Sequence, residues 1–241
     1  MSSYRQIIEH HGHPKANSYI FISLKNKYVW FKNPKVMSST LAATLQSLEI
    51  QDLPGREIPP HPEIQCCVHV KPYQLTEARN NQIYGGPLFR KFAFVRNPYA
   101  RLVSAYKDKV ERNEADKRNI LTFSTNPDKT FERPVSFEEF IETIHAMPVR
   151  RMNRHWEPQV YTTCAHWVKL DFVGKIENAN DDLKALETLT GIDLSANLID
   201  HRPHRTGGKT PWQDYYTPEL KQMVMETYAA DFETFGYDTD F

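Results

Sequence analysis

Glycine is scarce in this chain, nine in 241 residues. None falls in the G-x-x-x-x-G-K-[ST] spacing of a Walker phosphate loop, so nucleotide binding through that motif is excluded. Cysteine is scarcer. Cys66, Cys67 and Cys164 are odd in number and show no C-x-x-C spacing, which argues against a disulfide framework and a zinc site. A net charge is missing too: 30 Lys+Arg balance 30 Asp+Glu, so no global field draws the chain to nucleic acid. No apolar run approaches the roughly 18 residues of a membrane span. No N-x-[ST] acceptor occurs, and the start, Met1-Ser-Ser-Tyr-Arg-Gln, is polar. These absences predict a chain without signal peptide or anchor, in a reducing, cytoplasmic setting.

What is present is ordinary in amount and uneven in placement. Apolar residues make up 40% and charged residues 25%, and the length suits one domain of the larger α/β kind, residues 1–241, with 1–17 peripheral. Arg90 to Arg118 holds nine basic residues and only four acids, and His201 to Lys209 is basic with no acid. A neutral protein with local basic zones suits a small polyanion better than DNA.

Two stretches carry the chemistry. One is Tyr28-Val-Trp-Phe-Lys-Asn-Pro-Lys35-Val36-Met-Ser38-Ser39-Thr40. The other is Phe92-Ala-Phe-Val-Arg96-Asn-Pro-Tyr-Ala-Arg101-Leu-Val-Ser104-Ala-Tyr106. In each, an apolar strand enters a short basic or hydroxyl-bearing loop that opens a helix. A helix start offers free N–H groups and the positive end of the dipole, and so attracts anions. Two such places suggest a ligand with two separate phosphates.

The order Lys35, then Ser38, Ser39 and Thr40, resembles the 5′-phosphosulfate loop of sulfotransferases. Arg96 to Tyr106 resembles their 3′-phosphate motif. His155-Trp-Glu-Pro-Gln, Leu170-Asp-Phe-Val-Gly-Lys175-Ile-Glu177 and Tyr228-x-x-Asp-Phe232-x-x-Phe-Gly-Tyr237 follow in the family's order. The resemblance is to the Golgi carbohydrate sulfotransferases that include the chondroitin 4-O and HNK-1 enzymes (sulfotransferase family 2). Those relatives need an anchor and carry a C-x-x-C pair where this chain keeps only Cys164. A free, prokaryotic version is therefore expected.

The resemblance implies 3′-phosphoadenosine-5′-phosphosulfate (PAPS) as donor, 3′-phosphoadenosine-5′-phosphate (PAP) as product, a hydroxyl of a glycan or glycosylated small molecule as acceptor, and no metal. Lys35, Val36, Ser38, Ser39 and Thr40 would hold the 5′ side, with Lys35 neutralising the departing charge. Arg96 and Ser104 would hold the 3′-phosphate. Arg205, Gly207, Gly208 and Lys209 would close over the nucleotide. A general base near neutral pKa is needed, and histidine supplies it. His69 is the first choice, because a related glycan 2-O-sulfotransferase has its base in the equivalent stretch, and His155 the second; Glu157 is a weaker one. Arg101 reads equally as a structural ion-pair residue. His10, His11 and His13 read as a solvated segment before a metal cluster, and Arg150, Arg151 and Arg154 as a solvated face before an anion contact. The rivals are a small-molecule kinase with a degenerate phosphate loop, which needs Mg²⁺ and an acidic ligand on a neighbouring strand, and a non-catalytic nucleotide-binding domain.

The patterning predicts strands at Tyr19–Leu24, Tyr28–Lys32, Cys66–Val70, Lys91–Val95 and Asp171–Lys175. It predicts helices at Ser38–Leu48, Pro98–Arg112, from the capping box Ser136-Phe-Glu-Glu139 to Met147, up to Gly191, and from Thr217 through Phe232. Residues 113–135 read as a mobile loop. Alternating strands and helices predict an α/β, P-loop-like three-layer domain with a mostly parallel central sheet flanked by helices.

Overall fold

A computed structural model describes residues 1–51, 67–199 and 210–241. In chain order its principal elements are α1 (Ser3–Tyr19), β1 (Ile20–Ser23), β2 (Tyr28–Phe31), α2 (Ser38–Glu49), α3 (Glu77–Gly85), β3 (Arg90–Val95) and α4 (Pro98–Ala105). There follow α5 (Lys117–Phe123), α6 (Phe137–Ala146), α7 (Gln159–Thr162), β4 (Phe172–Lys175), α8 (Ala179–Thr190), α9 (Pro218–Thr227) and α10 (Ala229–Phe235). They form two compact units, Met1–Val95 with Tyr161–Pro203, and Arg96–Val160 with His204–Phe241.

The first unit is the expected α/β layer structure. Its sheet has the order β1-β2-β3-β4, with β1 antiparallel to β2 and the other pairs parallel. Strands buried on both faces read as continuous apolar runs, and β2 does: Tyr28 and Trp30 face one way, Val29 and Phe31 the other. Tyr28, Trp30, Phe92 and Phe94 pack against Leu41, Leu45 and Leu48 of α2 and Leu183 and Leu186 of α8. Val29, Phe31 and Ala93 pack against Ile7 and Ala16 of α1 and Ile83 and Tyr84 of α3. Gly174 is required where it stands, because a Cβ there would run into the Phe94 ring. The peripheral start forms a helix, kinked at Gly12 (φ 71°), with Ile7, His11 and Ala16 buried. It is no solvated segment: His11 Nε2 lies 3.0 Å from the Tyr161 carbonyl, and His10 stacks on the Tyr161 ring. The expected Cys66–Val70 strand is reduced, among the described residues, to one bridge between Val70 and Ile22, and Cys66 lies outside them.

The second unit is helical around Tyr99, Leu102, Phe140, Trp156, Tyr228 and Phe232. The expected helix Pro98–Arg112 is α-helical to Ala105 and then widens into a π-helical stretch, Tyr106–Glu111. The stretch read as a loop contains α5. Its organiser is Lys117, whose buried ammonium donates to the Phe131 and Arg133 carbonyls, an arrangement a sequence reading assigns to solvent. Ser136 caps α6 by accepting from Glu139 N, but Glu139 turns its carboxylate to Arg133 instead of completing the box. The last helix breaks at Tyr228 (φ −112°, ψ 20°), whose hydroxyl donates to the Trp156 carbonyl. No helix among the described residues is long and apolar enough to cross a membrane.

Candidate functional site

The Lys35 loop leaves the C-terminal end of β2 and is tied to the sheet by Asn33. The Asn33 amide donates to the Phe94 carbonyl (3.1 Å) and accepts from the Thr162 hydroxyl (2.9 Å). Beyond Pro34 the backbone takes left-handed φ at Lys35 (70°) and Met37 (53°), with Val36 between them at ordinary φ. Positive φ at alternate residues is a backbone pattern that anion-binding concavities use. Phosphate loops use glycine for such angles; here two residues with side chains take them at a cost of about 1 kcal/mol or more each. Strain held at a loop of this composition points to function rather than stability. The start of α2 agrees. Met37 occupies the N-cap and makes no side-chain capping bond, so the usual Ser or Asp cap is missing at this helix start. Val36 is buried, so only its backbone can face an anion; Thr40 is buried, while Lys35, Ser38 and Ser39 are half-buried.

The second stretch is built differently. Its helix start is capped by its own Asn97, which accepts from Ala100 N (3.2 Å), with Pro98 at the first helical position. The helix terminus is therefore partly spent, and an anion there would depend on side chains. Arg96 follows the last residue of β3 and is half-exposed, and Ser104 is buried two turns into α4. Arg101 is a structural cation: it is 1% exposed, and its guanidinium donates to the Glu157 carbonyl (2.9 Å) and the Arg154 carbonyl (3.1 Å). Glu157 is fully buried, and Arg150, Arg151 and Arg154 are exposed. Arg205, Gly207, Gly208 and Lys209 lie outside the described residues.

His69 is placed against the role given to it. Its Nε2 lies 2.7 Å from the Tyr28 hydroxyl. Tyr28 opens β2, and its hydroxyl is within reach of Glu49, the last residue of α2. The Lys35 loop sits at the other end of both elements. A helix of 12 residues is about 18 Å long. His69 is thus at the edge of the sheet opposite the loop, whereas open α/β folds bind ligands at the carboxyl ends of their strands. A base must come within hydrogen-bond reach of the reacting hydroxyl, so the assignment of His69 as base is corrected. Burial, with the Lys71 ammonium beside it, pulls its pKa down to about 3. It is a neutral core histidine.

His155 is held through one ring nitrogen. Its Nδ1 is 2.8 Å from Asn153 Oδ1 and 3.6 Å from an Asp116 carboxylate oxygen. A donor Nδ1–H leaves Nε2 as the acceptor. Burial lowers its pKa to about 4 against the opposing pull of Asp116; the His155 bond in turn holds the Asp116 carboxyl well below its usual range.

Two residues of the His155-Trp-Glu-Pro-Gln and Tyr228-x-x-Asp-Phe232 stretches hold the second loop in place. Asp231, fully buried, accepts from Gln159 N (2.8 Å) and Val160 N (2.9 Å) at the start of α7. The Gln159 side chain takes both backbone groups of Arg96, accepting from its N–H (3.0 Å) and donating to its carbonyl (2.8 Å). The only available signal was a buried-looking carboxylate in an aromatic helix.

These shifts predict an acid-labile fold. His69 and His155 are depressed in the folded state, so their contribution is present above about pH 6.5 and lost as pH falls through about 4 and 3. Burial raises Asp231 to about 6, so its contribution is present below about pH 4 and lost as pH rises through 6. Of these three groups, two histidines against one carboxyl leave a net loss of stability on acidifying from about pH 6 to 4. Urea melts across that range should show it. Removing one histidine, as in His69→Asn, should flatten the dependence; an unchanged slope would count against these buried neutral states.

The rival kinase site fares poorly. Asp171 lies at the opening end of β4, opposite the loop, where it accepts from Lys91 N (2.8 Å) and pairs with the Lys91 ammonium (3.1 Å).

Comparison with known proteins gives the family. A family model described as "Sulfotransferase family" matches residues 18–238. Carbohydrate sulfotransferase 12 of Mus musculus is 29% identical over 171 residues, covering 62% of this chain and 40% of the relative. The Xenopus laevis protein of the same name is 30% identical, covering 62% and 40%. Carbohydrate sulfotransferase 14 of Homo sapiens is 31% identical over 164 residues, covering 61% and 42%. The chain thus spans about two fifths of the length of these relatives. No solved structure matches. With a match that runs through both units and most of its length, the chain belongs to the sulfotransferase family.

Proposed function

We propose that this protein moves a sulfuryl group from PAPS to a hydroxyl of a carbohydrate, and that its two units work as one sulfotransferase domain. The observation that carries the reading is the strained, uncapped loop at Lys35–Met37, in a chain whose family match includes it. The carbohydrate acceptor follows the names of the relatives.

PAPS, when bound, supplies the activated sulfuryl group. The chain supplies charge and position. The N–H groups from Lys35 to Met37 and the hydroxyls of Ser38, Ser39 and Thr40 would donate to the anionic oxygens of the 5′-phosphate, with Lys35 neutralising the charge that develops there. Arg96 and Ser104 hold the 3′-phosphate. By resemblance, Arg205, Gly207, Gly208 and Lys209 would supply the segment that closes over the nucleotide. His155 takes the proton of the acceptor hydroxyl at Nε2. In this reading lysine, arginine and helix dipole carry the charge that a kinase gives to Mg²⁺.

The test is a pair of titrations by calorimetry in EDTA, with PAP and with AMP. A charge-assisted contact contributes roughly 1.5–3 kcal/mol, so PAP should bind about tenfold tighter or more. Equal affinities would sink the PAPS reading, and a strict need for Mg²⁺ would favour the kinase.

A further inference from the structure

Arg96 is the first residue past β3, where the ladder to β4 ends with Val95 opposite Lys175. A residue at that point has lost its strand partner. Its backbone is nevertheless held on both sides by a single side chain. Gln159 Oε1 accepts from Arg96 N at 3.0 Å, and Gln159 Nε2 donates to Arg96 O at 2.8 Å. One amide engaging the N–H and C=O of one residue copies what a neighbouring strand would do. The pairing also fixes the amide's orientation, because a flipped Gln159 would face donor to donor and acceptor to acceptor.

Gln159 is itself held. It is the first residue of α7, and its N–H, with that of Val160, donates to the two oxygens of the Asp231 carboxylate at 2.8 and 2.9 Å. Asp231 comes from α10 and, like Gln159, is 0% exposed. Two charge-assisted bonds to a buried carboxylate set the start of α7 and hence the root of the Gln159 side chain. A buried carboxylate is costly to keep, and here it is spent on the two N–H groups that root the Gln159 side chain.

We propose that Asp231 and Gln159 are positioning residues that fix the Arg96 backbone so that its guanidinium is aimed for an anion; the proposal rests on the reading that Arg96 takes the 3′-phosphate of the donor. The relay runs Asp231 carboxylate, α7 start, Gln159 amide, Arg96 backbone. Its function is discrimination: a guanidinium on a wandering backbone still attracts phosphate but holds it no better than any surface arginine.

The experiment uses the full chain and two probes, PAP and AMP, which differ only in the 3′-phosphate. Gln159→Glu keeps the acceptor for Arg96 N and replaces the donor to Arg96 O with a second oxygen. Asp231→Asn keeps the shape and loses the charge and one acceptor. Arg96→Ala is the reference for a lost contact. Native protein should prefer PAP by about tenfold or more. Gln159→Glu should bring that ratio down to within about threefold of the Arg96→Ala value while AMP affinity stays within about twofold of native. Asp231→Asn should move the ratio the same way by less. A ratio retained in both variants overturns the relay and leaves the donor reading standing. Equal weakening of PAP and AMP also overturns it, since that is what a merely structural defect gives. A native ratio near one removes the donor reading, and the relay with it. If Gln159→Glu does not fold, the Asp231→Asn ratio decides.

Discussion

Lys35→Ala is expected to lower turnover by roughly 10²–10³, the scale for losing one preorganised group that meets developing charge. The loss should appear in kcat. Donor binding should weaken less, because the N–H groups of the Lys35–Met37 loop and the start of α2 remain. Alanine at position 35 must still take a left-handed φ, so the variant tests the ammonium and not the shape of the loop. Arg96→Ala should do the converse and mainly raise the donor KM, since it meets a phosphate that does not react. Steady-state kinetics on the two variants separates the roles. A KM effect at Lys35 with a kcat effect at Arg96 would mean that the two loops are exchanged.

His155→Asn is expected to cost roughly 10²–10⁴ in kcat, the range for a lost general base, with nucleotide affinity nearly unchanged. Asparagine keeps the polar contact toward Asn153 and cannot take the proton. His69→Asn, at the opposite edge of the sheet, should leave kcat within a few-fold of native per folded molecule. Its cost should appear in stability, because it loses the bond to Tyr28. The native pH–rate profile should keep its activity below pH 6.5, with the acidic limb near the lowered His155 value of about 4. A limb at 6.5, or a His69 variant that is inactive yet folded, would contradict this assignment. If neither variant loses activity, Glu157 or water is left to take the proton.

The layers of the first unit were legible because their signals are local and strong. Continuous apolar strands, the Leu41, Leu45 and Leu48 stripe and the Gly191 cap each act over a few residues. The loop at Lys35 was legible from residue order alone, though not its means: the sequence has no glycine there, and positive φ at Lys35 and Met37 is visible only in three dimensions. His69 misled because order along the chain says nothing about which edge of a sheet a residue reaches. A short stretch between two donor motifs can lie at either end of the strands, and the bridge of Val70 to Ile22 puts it at the far one. Lys117 counts in the sequence only as part of a basic zone and Asp231 only as a motif position, because a charged residue carries no local sign of its burial. Burying them requires partners distant in sequence, the Phe131 and Arg133 carbonyls for one and the Gln159 and Val160 amides for the other. Arg205 to Lys209 lies outside the described residues, and its closing role rests on resemblance.

The measurement that bears most directly on the reading is sulfuryl transfer itself. The protein would be incubated in EDTA with PAPS labelled in the sulfuryl group and a panel of glycans and small glycosides, and products and PAP would be quantified together. The account predicts label on at least one carbohydrate, one PAP formed per group transferred, and loss of transfer in Lys35→Ala. Label that never leaves PAPS in the presence of the whole panel, while the protein still binds PAP, would contradict it and leave a nucleotide-binding domain without the reaction.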